Sequence, residues 1–303
     1  MMTQGKTPTL VIADKAGRLG NRLFLSAYFM ANALAREYHL CNPALGEYAE
    51  FFAGSARDPL CRFPVIEAFA DIDVALQIRE LTFQVVRAIG SLAGSFVLPG
   101  ADVLDIRGSH DAPDKEFDLN GEFFAQRLQT TPFLLVKGWK FRDDQNLVRF
   151  HREIAAYFTP VDEVRFPAER VIAQARKRGD LVIGVHIRQG DYRGWKNGAH
   201  YFETSQYAHW MREASELFPD KKTVFIACAS DPLERSVFSG FDYVDGPGNV
   251  ISDLHTLSLC DRIMGPPSTF STWASYHGRV PLCMLQHHLQ KVTAADFVLH
   301  DKV

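Results

Sequence analysis

The stretch Leu181 to Tyr192, LVIGVHIRQGDY, constrains the fold more than any other. Leu181, Val182, Ile183, Gly184 and Val185 form an uncharged run, the mark of a strand buried on both faces. The run ends at once in polar chemistry: His186, Arg188, Gln189, Gly190, Asp191 and Tyr192. In open α/β sheets, ligands bind beyond the carboxyl ends of the strands. His186 and Arg188 are two apart, so on extended backbone they point to the same side. Gly190 allows a sharp turn away, and Asp191 is close enough in sequence to orient Arg188 or to meet a ligand. A planar guanidinium beside an imidazole suits a phosphorylated ligand, because arginine grips phosphate oxygens bidentately. An Arg–Asp pair that merely ends a strand is the structural alternative.

Strands and helices alternate around this stretch. Helical spacing at Val171, Ile172 and Ala175 precedes it, and Tyr207, Trp210, Met211, Ala214, Leu217 and Phe218 share one helical face after it. Strands are expected at 222–228, 261–264 and 280–285, with helices at 250–259 and 268–276 and a short one after Pro232. That alternation means a parallel, doubly wound sheet. At 303 residues two domains are expected, and Thr159-Pro160, at the end of a helix through Leu147 to Phe158, marks the boundary: 1–160 and 161–303.

The first half opens with a strand at 9–13 and a loop, DKAGRLGNRLF, punctuated by Gly17 and Gly20. A long amphipathic helix follows (Leu23, Phe24, Ala27, Tyr28, Ala31, Leu34, Ala35, Tyr38). A glycine loop before a helix N-terminus is an anion site or a plain tight turn; it is not the G-x-G-x-x-G dinucleotide fingerprint. Residues 41–130 are less regular, with helical stretches in 65–89 and short strands expected at 96–98 and 103–106. A variable region of this kind commonly carries recognition loops. Phe133 to Val136 is a clearer strand, followed by Gly138-Trp139.

Two further segments point to the same strand edge. Met264 to Ser271, MGPPSTFS, reads as strand, turn and helix start, with Ser268 as N-cap and three hydroxyls near a helix N-terminus able to hold phosphate. Asp253 opens a helix, where it is a favourable first-turn charge or an acceptor for two N–H donors of a guanine edge. The histidines show no metal-ligand spacing, so no metal site is expected.

Composition excludes some partners. A net charge of -3 leaves no basic footprint for nucleic acid. Five cysteines without C-x-x-C spacing read as reduced core residues. No apolar run is long enough to cross a bilayer and no signal-peptide core is evident, so a cytoplasmic enzyme is expected, with peripheral membrane association left open.

Three segments resemble, in order and spacing, the α-1,2-fucosyltransferases of glycosyltransferase family 11. GRLGNRLF is similar to that family's N-terminal segment, HIRQGDY to its H-x-R-x-G-D-Y signature, and SDLHTLSLCDRIMGPPSTFSTWASYHG to its long C-terminal segment. HIRQGDY also resembles, more loosely, the α-1,6- and protein O-fucosyltransferase signature. The resemblance implies a GT-B type α/β fold, two Rossmann-like domains facing across a cleft, with acceptor recognition on 1–160 and the nucleotide sugar on 161–303. It implies an inverting transfer of L-fucose from GDP-β-L-fucose to a glycan hydroxyl, forming an α-1,2 linkage on a galactoside, with no cofactor and no metal. Arg188 would then grip the β-phosphate and Asp191 orient it, with a base role for Asp191 second. His186 would sit at the guanine or ribose and Asp253 would read the guanine. Ser268, Thr269, Phe270 and Ser271 would line the pyrophosphate pocket, and Gly17, Gly20 and Asn21 would close on it. Arg22 replaces the family's glutamine, Thr272-Trp273-Ala274 replaces W-W-G, and the loop 193–200 is this chain's own. Alternatives are a metal-independent GT-B transferase using another nucleotide sugar, or a nucleotide-sugar-binding protein without turnover.

Overall fold

Alternating apolar strands and helices build two α/β units, Met1–Thr159 and Pro160–Val303. The computed structural model describes residues 7–66, 71–92, 100–107 and 116–303.

In the first unit, β1 (Thr9–Ile12) leads into α1 (Leu19–Arg36), then β2 (His39–Cys41) and β3 (Arg62–Phe63). α2 (Ile72–Leu92), β4 (Ala101–Asp105), β5 (Phe117–Asp118) and α3 (Glu122–Thr130) follow. β6 (Phe133–Lys137), β7 (Phe141–Arg142), α4 (Asp144–Arg149) and α5 (His151–Tyr157) complete it. The sheet order is β3-β2-β1-β6-β4, parallel except for β3 at the edge, and β5 pairs with β7 separately. The apolar stripe of α1 is buried from Leu23 to Ala31, with Leu34 half-buried and Ala35 exposed, and the other residues from Leu23 to Ala33 are buried as well. The amide donors on that far side find partners: Asn32 Nδ2 donates to Asp143 at 2.8 Å and Asn42 Nδ2 to Ser26 Oγ at 2.6 Å, while the Oδ1 atoms of both asparagines are buried without a partner among the described residues. The expected helix 147–158 is two helices, because the backbone leaves helical geometry at Phe150. The strand expected at 96–98 lies outside the described residues.

In the second unit, α6 (Asp162–Arg176) precedes β8 (Leu181–Ile187), α7 (Thr204–Glu216), β9 (Thr223–Ala229) and β10 (Tyr243–Asp245). α8 (Val250–Ser258), β11 (Arg262–Gly265), α9 (Thr269–Gly278), β12 (Leu282–Met284) and β13 (Phe297–Val298) follow. The helix expected after Pro232 is a single 3-10 turn, Arg235–Phe238. The sheet order is β10-β9-β8-β11-β12-β13, parallel except for β13, which pairs antiparallel at the edge. Every residue of β8 is buried, as its uncharged run requires. On one face Tyr207, Trp210, Met211 and Ala214 of α7 pack with Ile183, Val185 and Phe225. Each fully buried large side chain there contributes about 1.5–3 kcal/mol. On the other face Gly184 lets α8 approach, since a Cβ there would stand 2.6 Å from a Leu257 methyl.

The strand order reverses direction at β8. Its neighbour on one side is β9, reached through α7, and on the other β11, reached much later in the chain. The crevice beyond the carboxyl ends of β8 and β11 is therefore the topological switch point where open α/β sheets take ligands.

Candidate active site

His186 stands at the end of β8, and its imidazole lies 4.8 Å, centre to centre, from the Phe270 ring at the start of α9. Gly265, ending β11, makes room for it: a Cβ there would come within 2.9 Å of His186 Cβ. Burial, with the Arg188 charge adding to it, lowers the His186 pKa to about 3. The ring is therefore neutral at physiological pH and serves as a hydrogen-bonding surface, with its buried Nδ1 unpartnered among the described residues.

Arg188 lies one residue beyond the strand. Nε and Nη2 donate to the two carboxylate oxygens of Asp191, each at 2.9 Å, so the pair is bidentate. Its backbone N–H donates to the Tyr207 hydroxyl, and the guanidinium lies 5.2 Å from the Tyr192 ring centre. Tyr192 is anchored in turn by donating to the Pro267 carbonyl at 2.6 Å. The turn itself is held by Asp231, which accepts from the Gly190 N–H at 3.0 Å. This bracing holds Arg188 as a fixed cation in the wall of the pocket, with Nη1 outside the Asp191 pair.

Asp253, in the first turn of α8, is 7% exposed. One oxygen accepts from the Gly248 N–H at 3.0 Å. Burial raises its pKa from 3.8 to about 6, and the Gly248 bond offsets only part of that rise. Glycine is required at 246 as well, because a Cβ there would stand 2.9 Å from the Asp253 carboxylate. A pocket of about 250 Å³ joins these groups, lined by His186, Arg188, Cys228, Ala229, Ser230, Gly248, Val250, Asp253 and Phe270. A second, of about 160 Å³, adjoins it at Ala229, Gly248 and Asp253. Together they approach the size of a small-ligand site.

The structure brings His186, Arg188, Asp253 and Phe270 to one pocket, with Asp191 behind Arg188. It treats the hydroxyls of α9 differently from expectation. Ser268 caps the helix, accepting from the Phe270 N–H at 3.2 Å. Ser271 is fully buried and donates to the carbonyls of Pro266 and Ser268. Both hydroxyls are committed to the helix start, so Ser271 does not line the pocket; Thr269, half-buried, makes no side-chain hydrogen bond among the described residues. The pocket wall from Cys228 to Ser230 and the Gly246–Gly248 turn went unassigned in the sequence. Two signals were there: the polar end of a buried strand and a G-P-G before a helix.

Gly17, Gly20 and Asn21 belong to the other unit. Only Gly17 sits in a loop, with φ +61 and the Asn21 amide packed against it. Gly20 is a correction: α1 already begins at Leu19, so Gly20 lies in its first turn. Arg22 is engaged locally, donating to Glu47 at 3.0 Å and to the Gly17 carbonyl at 3.2 Å.

No group of three or more His, Cys, Asp or Glu side chains able to hold a metal occurs among the described residues. No helix among them is long and apolar enough to cross a membrane. The five cysteines are free thiols, and burial pushes Cys61 up to about 12.

Two Rossmann-like units, one carrying an arginine fork and a buried carboxylate at its switch point, define an α/β protein of the GT-B type. The model of the family named Glycosyl transferase family 11 matches residues 102–281, more than half of the chain. The chain belongs to that family. Every candidate residue of the second unit falls inside the match, and Gly17, Gly20 and Asn21 fall outside it.

Nodulation protein Z of Azorhizobium caulinodans is 28% identical over 148 residues, covering 37% of this chain and 43% of that protein. The chain thus spans less than half the length of this curated relative. A mutant of Arabidopsis thaliana FUT1 in complex with GDP superposes with a TM-score of 0.60 at 16% identity, over 98% of this chain and 74% of that one. The NodZ alpha-1,6-fucosyltransferase soaked with GDP-fucose gives 0.55 at 15% identity, over 92% and 95%. POFUT1 in complex with GDP-fucose gives 0.53 at 13%, over 91% and 95%. At these identities the likeness is one of fold.

Proposed function

We propose that this protein transfers L-fucose from GDP-β-L-fucose to a glycan hydroxyl, with inversion at the anomeric carbon. The observation that carries the proposal is the Arg188–Asp191 fork and the buried Asp253 carboxylate at one switch-point pocket. One end offers a fixed cation for a diphosphate, the other an acceptor for the paired N–H donors of guanine. Membership in glycosyl transferase family 11 and the GDP-fucose held by fold relatives support the choice of donor.

In this reading the acceptor oxygen bonds to the anomeric carbon from the opposite face as the bond from fucose to the β-phosphate breaks; GDP departs as an anion and the hydroxyl proton is lost to a base or to water. Arg188 meets the growing negative charge, and the N-terminal end of α9, with the Thr269 hydroxyl, adds a positive dipole beside it. These protein donors take the part a divalent cation would otherwise play, so the reaction is proposed to need neither metal nor cofactor. His186, neutral and packed on Phe270, offers hydrogen bonds to the nucleoside without competing for the phosphate. Asp191 is tied to Arg188 by both oxygens, which makes it an orienting group before it is a base.

The proposal includes an α-1,2 linkage on a galactoside, as the signature HIRQGDY suggests; the NodZ relative of known fold is named as an alpha-1,6-enzyme, so linkage is the finest point to be tested. It also gives the second unit the donor and the first unit the acceptor side. A cytoplasmic location completes it, with peripheral membrane association left open. The test is release of GDP from GDP-fucose, GDP-mannose and UDP-sugars with a panel of free sugars and oligosaccharides, followed by linkage analysis of the product. Turnover confined to GDP-fucose is expected. Preference for another nucleotide sugar, or nucleotide binding with no GDP release for any acceptor, would overturn it.

A further inference from the structure

We infer that the loop 193–201 is an acceptor-glycan subsite on the second unit, with Trp195 as its stacking platform. The inference rests on the proposed fucosyl transfer and adds to it the surface that receives the sugar.

The loop leaves the pocket directly after Arg188 and Asp191. It makes a 3-10 turn, Gly190–Arg193, and then a second turn over Trp195–Gly198 whose inner residues leave right-handed helical geometry. Within the second, three consecutive residues take positive φ: Lys196 at 48°, Asn197 at 56° and Gly198 at 75°. Left-handed backbone at a lysine is strained, and such strain persists only where surrounding contacts hold it. Those contacts are aromatic. The Tyr192 and Trp195 rings are 4.8 Å apart at 33°, and the His200 ring lies 5.6 Å from Trp195. Arg193 lies over the Tyr201 ring at 4.6 Å and donates to its hydroxyl at 2.7 Å. The His200 Nδ1 lies 3.2 Å from the Gln286 carbonyl, which ties the loop to the segment after β12.

Despite this bracing, Trp195 is 40% exposed. Trp210 and Trp273 in the same unit are buried in the core, as packing tryptophans are. An indole held by neighbouring rings and left partly in solvent, with the Lys196 ammonium beside it, suits the two surfaces of a pyranose: an apolar C–H face and a ring of hydroxyls. Lys196 Nζ, 4.7 Å over the indole, is the tip of an exposed, flexible side chain that a pyranose would displace, and its ammonium can then donate to the sugar hydroxyls. Tyr192 touches both the Arg188 guanidinium and the indole, so a sugar on Trp195 would sit one ring away from the leaving phosphate. Acceptor recognition is then not confined to the first unit.

The experiment compares the full chain with Trp195→Ala and Trp195→Phe, using lactose, N-acetyllactosamine and chitotetraose as acceptors. Acceptor KM should rise roughly ten-fold in the alanine variant and less in the phenylalanine one, which keeps a ring. GDP affinity and the acceptor-free hydrolysis of GDP-fucose should not move, because Trp195 is not among the groups assigned to the donor. Unchanged acceptor KM, or a loss of GDP affinity equal to the loss for acceptor, would overturn the inference. So would a wild type that hydrolyses GDP-fucose yet transfers to none of the three, with the donor reading left standing. A wild type that neither binds GDP nor hydrolyses GDP-fucose would remove both.

Discussion

Replacing Asp253 by Asn should loosen GDP binding and, at the same time, stabilise the free protein. The carboxyl is 7% exposed, and burial lifts its pKa from 3.8 to about 6. Holding it ionised at neutral pH costs about 3 kcal/mol, since each tenfold change in proton affinity is worth about 1.4 kcal/mol. The sign follows from proton binding. Between about pH 4 and about pH 6 the folded chain holds a proton that the unfolded chain has released, so stability falls as pH rises through that window. Above it the cost is complete; below it there is none. An amide keeps the acceptor for the Gly248 N–H and removes the charge. Asp253→Asn should thus gain up to about 3 kcal/mol at about pH 7 and almost nothing at about pH 4. Binding moves the other way. The amide would set an NH₂ against the guanine N1–H and N2–H₂, where the carboxylate would accept from them. Bonds to a charged group are worth about 1.5–3 kcal/mol each, so GDP should weaken at least ten-fold. ADP offers no such donor pair and should hardly change. Denaturant unfolding at both pH values and calorimetric titration with GDP and ADP supply the measurements. A carboxylate that serves only the first turn of α8 predicts the reverse, a loss of about 0.3–1 kcal/mol on neutralisation and equal effects on the two nucleotides. Lower stability at neutral pH with an unchanged GDP-to-ADP ratio would refute the guanine-reading role.

Arg188→Ala should keep its fold and turn over one to two decades more slowly per lost phosphate bond; Arg188→Lys should fall between, and near wild-type turnover in the alanine variant would sink the mechanism. Activity should survive exhaustive chelation, whereas loss with EDTA restored by Mn²⁺ or Mg²⁺ would show that protein donors do not suffice. Gly265→Ala should cost about 1–3 kcal/mol of stability and weaken GDP, because its methyl would stand 2.9 Å from His186 Cβ; unchanged melting and GDP affinity would mean that His186 is free to move.

Much of the candidate site could be read from the chain because its signals are local. An uncharged run is buried wherever it goes, so β8 was evident from Leu181 to Val185. Arg188 and Asp191 are three residues apart after a strand, and their pairing follows from that spacing. Ser268 caps a helix because the residues on either side of it demand one. Three things depended on the tertiary structure. β10 and β13 are three and two residues long, too short for any periodicity, and exist because a neighbouring strand offers its hydrogen bonds. Ser271 carries the same hydroxyl as any pocket-lining serine, and only packing turns it towards the Pro266 and Ser268 carbonyls. Asp253 could be a helix-start charge on sequence alone; its raised pKa comes from burial at the turn Gly246–Gly248, where residues distant in sequence exclude water. Residue type and spacing determine which groups can react. Solvent exclusion and partner assignment, which set how strongly they do, arise only when segments far apart in the chain are packed together.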